Sequence, residues 1–183
     1  MVIVFVIDNY GEFSNGTTVT AKRTKERLEA RGHTVRIVSS GPIEGEEYYR
    51  LPKRSIPFVS KVSEKQGMYF SKFDRQIVSK AFTGADIIHF FLPFQLSYKS
   101  VMLAKKLDIP YTAAFHSQPE NVTYGMGLGR MGRPLAFFLY EKYYNQLYRF
   151  VERVHCPTAF IAKEMRHNGY TNELHIISNG ISP

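Results

Sequence analysis

Val2-Ile3-Val4-Phe5-Val6-Ile7-Asp8 (VIVFVID) decides the fold class. Apolar residues follow one another without the alternation of a half-exposed strand, and all but Phe5 are β-branched. Such a run reads as a strand buried on both faces, the kind found in parallel sheets. Parallel neighbours need a crossover, and one follows. After the loop YGEFSNGTT (10–18), TVTAKRTKERLEARG (18–32) has the period of a helix. Ala21, Thr24 and Leu28 share one side, Lys, Arg and Glu the other, and Gly32 is the stop. HTVRIVS (33–39) is a second strand. A β-α-β unit of about 40 residues implies a right-handed crossover and a parallel sheet.

The alternation continues outward. Residues 41–70 show no clear period and hold Pro42, Pro52 and Pro57. FSKFDRQIVSKAF (70–82) reads as a helix, DIIHFFL (86–92) as a strand, and SYKSVMLAKKLDIP (97–110) as a helix closed by Pro110. YTAAFH (111–116) is a strand, and PLAFFLYEKYYNQLYRFVE (134–152) a long helix with Pro134 in its first turn. RVHCP (153–157) is a short strand. TAFIAKEMRHNG (158–169) is a helix capped by Thr158 and stopped by Gly169, and ELHIISNG (173–180) is the last strand. The expected class is α/β: one Rossmann-like parallel sheet with helices on both faces, in a single domain over residues 1–183.

Composition narrows the function classes. At 44% hydrophobic and 22% charged the chain supports a packed core, and no run approaches the length of a membrane span. The first residues lack the basic start of a signal peptide, and Cys156 is the only cysteine, so a cytoplasmic location is expected. One cysteine excludes an internal disulfide, and there is neither an H-x-x-x-H nor a D-x-D pair. No metal or other cofactor is expected. The net charge of +8 suits an anionic partner. Between Tyr49 and Lys80, eight basic residues (Arg50, Lys53, Arg54, Lys61, Lys65, Lys72, Arg75 and Lys80) face only Glu64 and Asp74. A solvated loop accounts for such a cluster as well as a membrane or phosphate partner does. Nucleic acid is not expected, because basic and aromatic residues do not alternate as in a base-stacking surface.

In an open α/β sheet ligands collect at the carboxyl ends of the strands. The loops after Asp8, Phe91, His116 and Gly180 are therefore the candidates. The first carries Asn15, Gly16 and Thr17 before a helix start, where free N–H groups and the helix dipole suit a phosphate. A plain turn capped by Asn15 or Thr17 is the alternative. Gly127-Leu128-Gly129-Arg130-Met131-Gly132 has G-x-G-x-x-G spacing, but the nearest strand ends about ten residues earlier, whereas a dinucleotide fingerprint follows its strand directly. It reads as a flexible loop beside the site. The aromatic helix places Tyr140, Tyr144 and Tyr148 on one side, for packing on the sheet or for a membrane boundary. Phe138 is the best candidate for an exposed apolar contact. His116 and His89 end two strands at the ligand edge, with Glu120 close to the first.

Four stretches carry a family resemblance. FVIDNYGEFSNGTTVTAKRTKERLEARGHTVRIVS, ADIIHFFLP, YTAAFHSQPEN and VHCPTAFIAKEM…HIISNGI resemble, in that order, the opening strand–loop–helix, the D-[IV]-[IV]-H strand, the histidine-ended strand and the P-[ST]-x-x-x helix with closing I-x-N-G of family 4 glycosyltransferases of the GT-B type. FHSQPENVTY resembles the YHTQYEDY-type stretch of bacterial diacylglycerol glucosyltransferases, departing from it at Pro119 and Asn121. The resemblance implies a retaining transfer of a hexose from a nucleotide-sugar donor to an acceptor hydroxyl. It implies donor-diphosphate contacts at Gly16, with Asn15 and Thr17, and a sugar contact at His116. Glu120, Asn121, Tyr124 and His89 are expected on the acceptor side. Asn179-Gly180 falls at the joint with a second, donor-binding domain, which is absent from this chain. The expectation is an N-terminal half that is inactive by itself. A lipid acceptor is expected, with Lys53, Arg54, Lys61, Lys65, Lys72, Arg75 and Phe138 facing an anionic inner leaflet. The alternatives are a soluble acceptor and a non-catalytic module binding sugar-nucleotide or phosphate.

Overall fold

The computed structural model describes residues 1–11, 16–42, 45–55 and 69–180. Asn15, Lys61 and Lys65 lie outside the described residues. Seven strands form one parallel sheet: β1 (Val2–Val6), β2 (Thr34–Ser39), β3 (Tyr48–Arg50), β6 (Ile87–Phe90), β7 (Tyr111–Ala114), β8 (Arg153–Cys156) and β9 (Glu173–Ile176), in the order β3-β2-β1-β6-β7-β8-β9. The chain runs outward from β1 to β3, returns to the other side of β1 at β6, and runs outward again. The direction of winding reverses between β1 and β6, which opens a crevice at their carboxyl ends.

VIVFVID is buried on both faces, as its unbroken apolar run dictates. Ile3, Phe5 and Ile7 pack with Ala21 of α1 (Gly16–Glu29) and with Val35 and Ile37. Val4 and Val6 point the other way, into a larger core. That core takes Val78 of α2 (Arg75–Phe82), Val101 of α3 (Gln95–Lys106), Tyr140 of α5 (Arg133–Gln146) and Met165 of α6 (Ala159–His167). The β1–β6 register, which sets Val4 opposite Ile88, leaves side chains alternating between these two cores.

Four local expectations are corrected. First, the stretch without a period contains a strand, β3, beside the edge of β2. Three residues are too few to show a period, and what recruits them is the free edge of β2. Second, Phe70–Ser71 is a strand (β5), antiparallel to Lys53–Arg54 (β4), and not the start of a helix. Helix α2 begins only after Asp74, whose carboxylate accepts from the Gln76 and Ile77 N–H groups. Third, the long aromatic helix stops at Gln146. Leu147 turns out of helical geometry (φ −136°, ψ −58°), and Tyr148–Phe150 form a 3₁₀ turn. Buried Asn172 donates to the carbonyls of Tyr148 (2.7 Å) and Val151 (2.5 Å), which holds the chain in this turn. Fourth, Pro119–Gly125 forms a short helix, α4, with Pro119 in its first turn.

Candidate functional site

The carboxyl edge of the sheet gathers an aromatic row on the α1 side. Phe5 lies 6.0 Å from His89 and 5.0 Å from Phe91, and the His89 and Phe91 rings meet edge-on at 4.8 Å. Phe91 stacks on His116 at 5.7 Å and 14°, and His116 meets His155 at 5.5 Å and 77°. The row thus crosses β1, β6, β7 and β8. His89 Nδ1 is 2.8 Å from the Thr112 hydroxyl. His116 Nε2 is buried with no hydrogen-bond partner. Burial holds the His116 imidazole down at about 4, and the His155 ring beside it adds to the effect. Burial lowers His89 to about 3, with His116 and His155 contributing in turn. Both rings are neutral near pH 7, so each offers one N–H and one lone pair and no charge.

Asp8 closes the crevice at the end of β1. It is 1% exposed. Its Oδ1 accepts from the Ser71 N–H at 2.9 Å, while Oδ2 is buried without a partner. Its carbonyl accepts from the hydroxyls of Ser71 (2.8 Å), Ser40 (3.1 Å) and Ser39 (3.3 Å). Burial pushes its carboxyl up to about 7, against the opposing pull of the Ser71 N–H and the Arg54 guanidinium. Arg54 also donates to Gln95 at the start of α3. The β4–β5 pair therefore straps the carboxyl ends of β1 and β2 to α3, with a Phe70–Phe94 edge contact at 5.2 Å.

The remaining sequence candidates fall at two ends of this edge. Gly16 and Thr17 start α1, and open space lies where a Gly16 Cβ would point. Glu120 lies on α4, directly after the His116 loop, and accepts from the Tyr140 hydroxyl at 3.1 Å. Asn121 and Tyr124 are exposed on the same helix. The glycine loop then turns back: Gly127 and Gly129 have φ of +77° and +48°. A Cβ on Gly132 would sit 2.6 Å from the Thr123 Cβ, so the loop packs tightly on α4. Lys53, Lys72 and Arg75 are exposed, with the Lys53 ammonium 3.9 Å over the Tyr69 ring, whereas Arg54 is half-buried. Sequence reasoning passed over Asp8 and His155 as site residues, and it read Arg54 as membrane-facing and not as a contact of the strap. For Asp8 a signal existed, an acid directly ending a buried strand at the ligand edge. For the other two the contacts arise only on folding.

Comparison with known proteins agrees with this architecture. Residues 14–183 match the pattern of Glycosyltransferase Family 4. Over 189 aligned residues the chain is 24% identical to an alpha-monoglucosyldiacylglycerol synthase of Streptococcus pneumoniae, covering 95% of this chain and 39% of that protein. Among solved structures it superposes on sucrose-phosphate synthase from Thermosynechococcus elongatus with a TM-score of 0.57 and 13% identity, over 97% of this chain and 47% of that one. WaaG, a glycosyltransferase involved in lipopolysaccharide biosynthesis, gives 0.55 and 15%, over 99% and 46%. A ugt transferase from Siraitia grosvenorii in complex with UDP gives 0.52 and 13%, over 99% and 48%. The chain spans less than half the length of each of these relatives.

Proposed function

The chain belongs to Glycosyltransferase Family 4, and we propose that its protein moves a hexose from a nucleotide-sugar to a hydroxyl of a lipid acceptor, with retention of anomeric configuration. The observation that carries the reading is His116: a neutral imidazole with a buried, unpartnered Nε2 at the carboxyl edge of the sheet, after the strand next to the β1–β6 reversal. A neutral ring pressed against Phe91 suits a hydrogen bond to a sugar hydroxyl, and its low basicity argues against general-base work. The N–H groups of Gly16 and Thr17, at the start of a 14-residue helix, suit the leaving diphosphate. Preorganised dipoles and basic side chains then stabilise the charge that develops there, without a metal. Glu120, Asn121, Tyr124 and His89 take the acceptor side. A second, donor-binding domain, for which the greater length of the relatives leaves room, supplies the rest of the donor site, so this domain alone turns over no donor.

A specific surface favours a lipid over a soluble acceptor. Tyr124, Met126, Leu128, Met131, Phe137 and Phe138 are 61, 55, 38, 88, 67 and 56% exposed. They form one run beginning on α4, the helix that follows His116. A run of exposed apolar groups marks an interaction surface, and next to a sugar-binding edge it suits an acceptor drawn from a bilayer. Exposed Lys53, Lys72 and Arg75 then favour an anionic inner leaflet. Among the described residues no helix is long and apolar enough to cross a membrane, and the contact proposed for this domain is with the bilayer surface.

The test uses the full-length protein with labelled nucleotide-hexoses and vesicles of diacylglycerol and phosphatidylglycerol. Label in the organic phase, reduced roughly tenfold or more by His116→Ala, is expected. Label transferred only to soluble sugars would replace the lipid acceptor by a soluble one. Donor binding without turnover would leave a binding module.

A further inference from the structure

The segment that leaves β9 does not run free. The Ile177 N–H donates to the Cys156 carbonyl at 3.0 Å, which extends the β8–β9 ladder by one step. The Ile177 carbonyl then accepts from His155 Nε2 at 2.6 Å. Further on, the Gly180 N–H donates to the Ser178 hydroxyl at 3.1 Å, and the Gly180 carbonyl accepts from Arg23 Nη1 of α1 at 3.2 Å. The segment is thus tied at one end to β8 and at the other to α1.

His155 holds two things at once. The Ile177 carbonyl can only accept, so this bond places a ring hydrogen on His155 Nε2 and fixes which edge of the ring faces the segment. The same ring meets His116 edge-to-face, and His116 in turn lies flat on Phe91. Edge-to-face packing has a defined orientation. A His155 ring turned by loss of its carbonyl partner therefore no longer supports the His116 ring in the same plane.

We propose that His155 is a positioning residue, which fastens the 177–180 segment to the sheet and thereby fixes the orientation of His116. This rests on the reading of His116 as a sugar contact. Through it, the seating of the segment that leaves the sheet and the grip on the sugar become one event.

Two variants test it in the full-length protein. His155→Phe keeps a ring against His116 and removes the donor. His155→Gln restores an N–H near the place of Nε2. Hydrogen exchange at the amides of 178–180 is expected to rise about tenfold in His155→Phe, the loss of about one hydrogen bond, and to return in His155→Gln. In donor turnover, His155→Phe is expected to cost about tenfold in kcat/KM, and much less in a His116→Ala background, because coupled residues are not additive. Unchanged exchange in His155→Phe overturns the fastening, and strictly additive costs overturn the link to His116. If the unaltered protein transfers no sugar, the proposed function falls instead, and exchange at 178–180, together with the His116 ring resonances in His155→Phe and His155→Gln, still decides the positioning role.

Discussion

Asp8 and the two buried histidines pull stability in opposite directions with pH. Asp8 is raised from 3.8 to about 7 in the folded protein. Between those values the folded state holds a proton that the unfolded state has lost. Its contribution is therefore present at low pH and disappears as pH rises through 7. Asp8→Asn removes that dependence. In urea unfolding, the variant should gain on the parent by up to about 4 kcal/mol from pH 4 to pH 8, at about 1.4 kcal/mol per pH unit. Parallel curves for the two proteins would show that the carboxyl is not held protonated. His89 and His116 are lowered from 6.5 to about 3 and about 4. Here the unfolded state binds the extra protons, so stability falls on acidification below about 6.5. The domain should be most stable in between, where Asp8 is still protonated and the rings are already neutral.

The turn between α5 and β8 depends on one amide. Asn172 is buried and donates to two main-chain carbonyls of the interrupted helix's last turn, those of Tyr148 and Val151. The Tyr148 side chain, fully buried, donates to the Ala114 carbonyl at 3.0 Å, and the rings of Tyr140, Tyr144 and Tyr148 all meet Tyr170 at 5.2 to 6.2 Å. The tyrosines foreseen on one helix side thus converge on one partner, but across a broken helix. Asn172→Ala removes both bonds, and the Tyr148 carbonyl keeps only that from the Val151 N–H at 3.1 Å; the loss should cost about 1–3 kcal/mol in denaturant unfolding. A cost below about 0.5 kcal/mol would mean that packing around Tyr170, and not these bonds, sets the turn.

The molecule as a whole combines a net charge of +8 with an exposed apolar run beside the sheet's ligand edge. If that surface meets a bilayer, both parts contribute. Met131→Glu or Phe137→Glu should lower partitioning onto vesicles containing phosphatidylglycerol by about tenfold, since each removes an apolar contact and adds repulsion. Neither should alter the unfolding midpoint, because both side chains stand mostly in solvent. Raising salt should weaken binding of the parent protein, since the charge contribution is screened. Binding indifferent to both changes would move the run to contact with another protein domain.

The hydrophobic pattern alone determined the class, the order of most elements and the placing of His116 at the ligand edge. Those follow from period and punctuation, which are local and survive in the bare string. VIVFVID could only be a doubly buried strand, and Thr158 and Gly169 bracket their helix as read. Tertiary structure alone decided the place of β3, the break at Leu147, the burial of Asp8 under the β4–β5 strap, and the row from Phe5 to His155. Each rests on partners far apart in sequence: Asp8 with Ser71, Tyr148 with Ala114, His116 with Phe91 and His155. Their energies exist only once the sheet has brought the strands side by side and excluded water, so no local period encodes them.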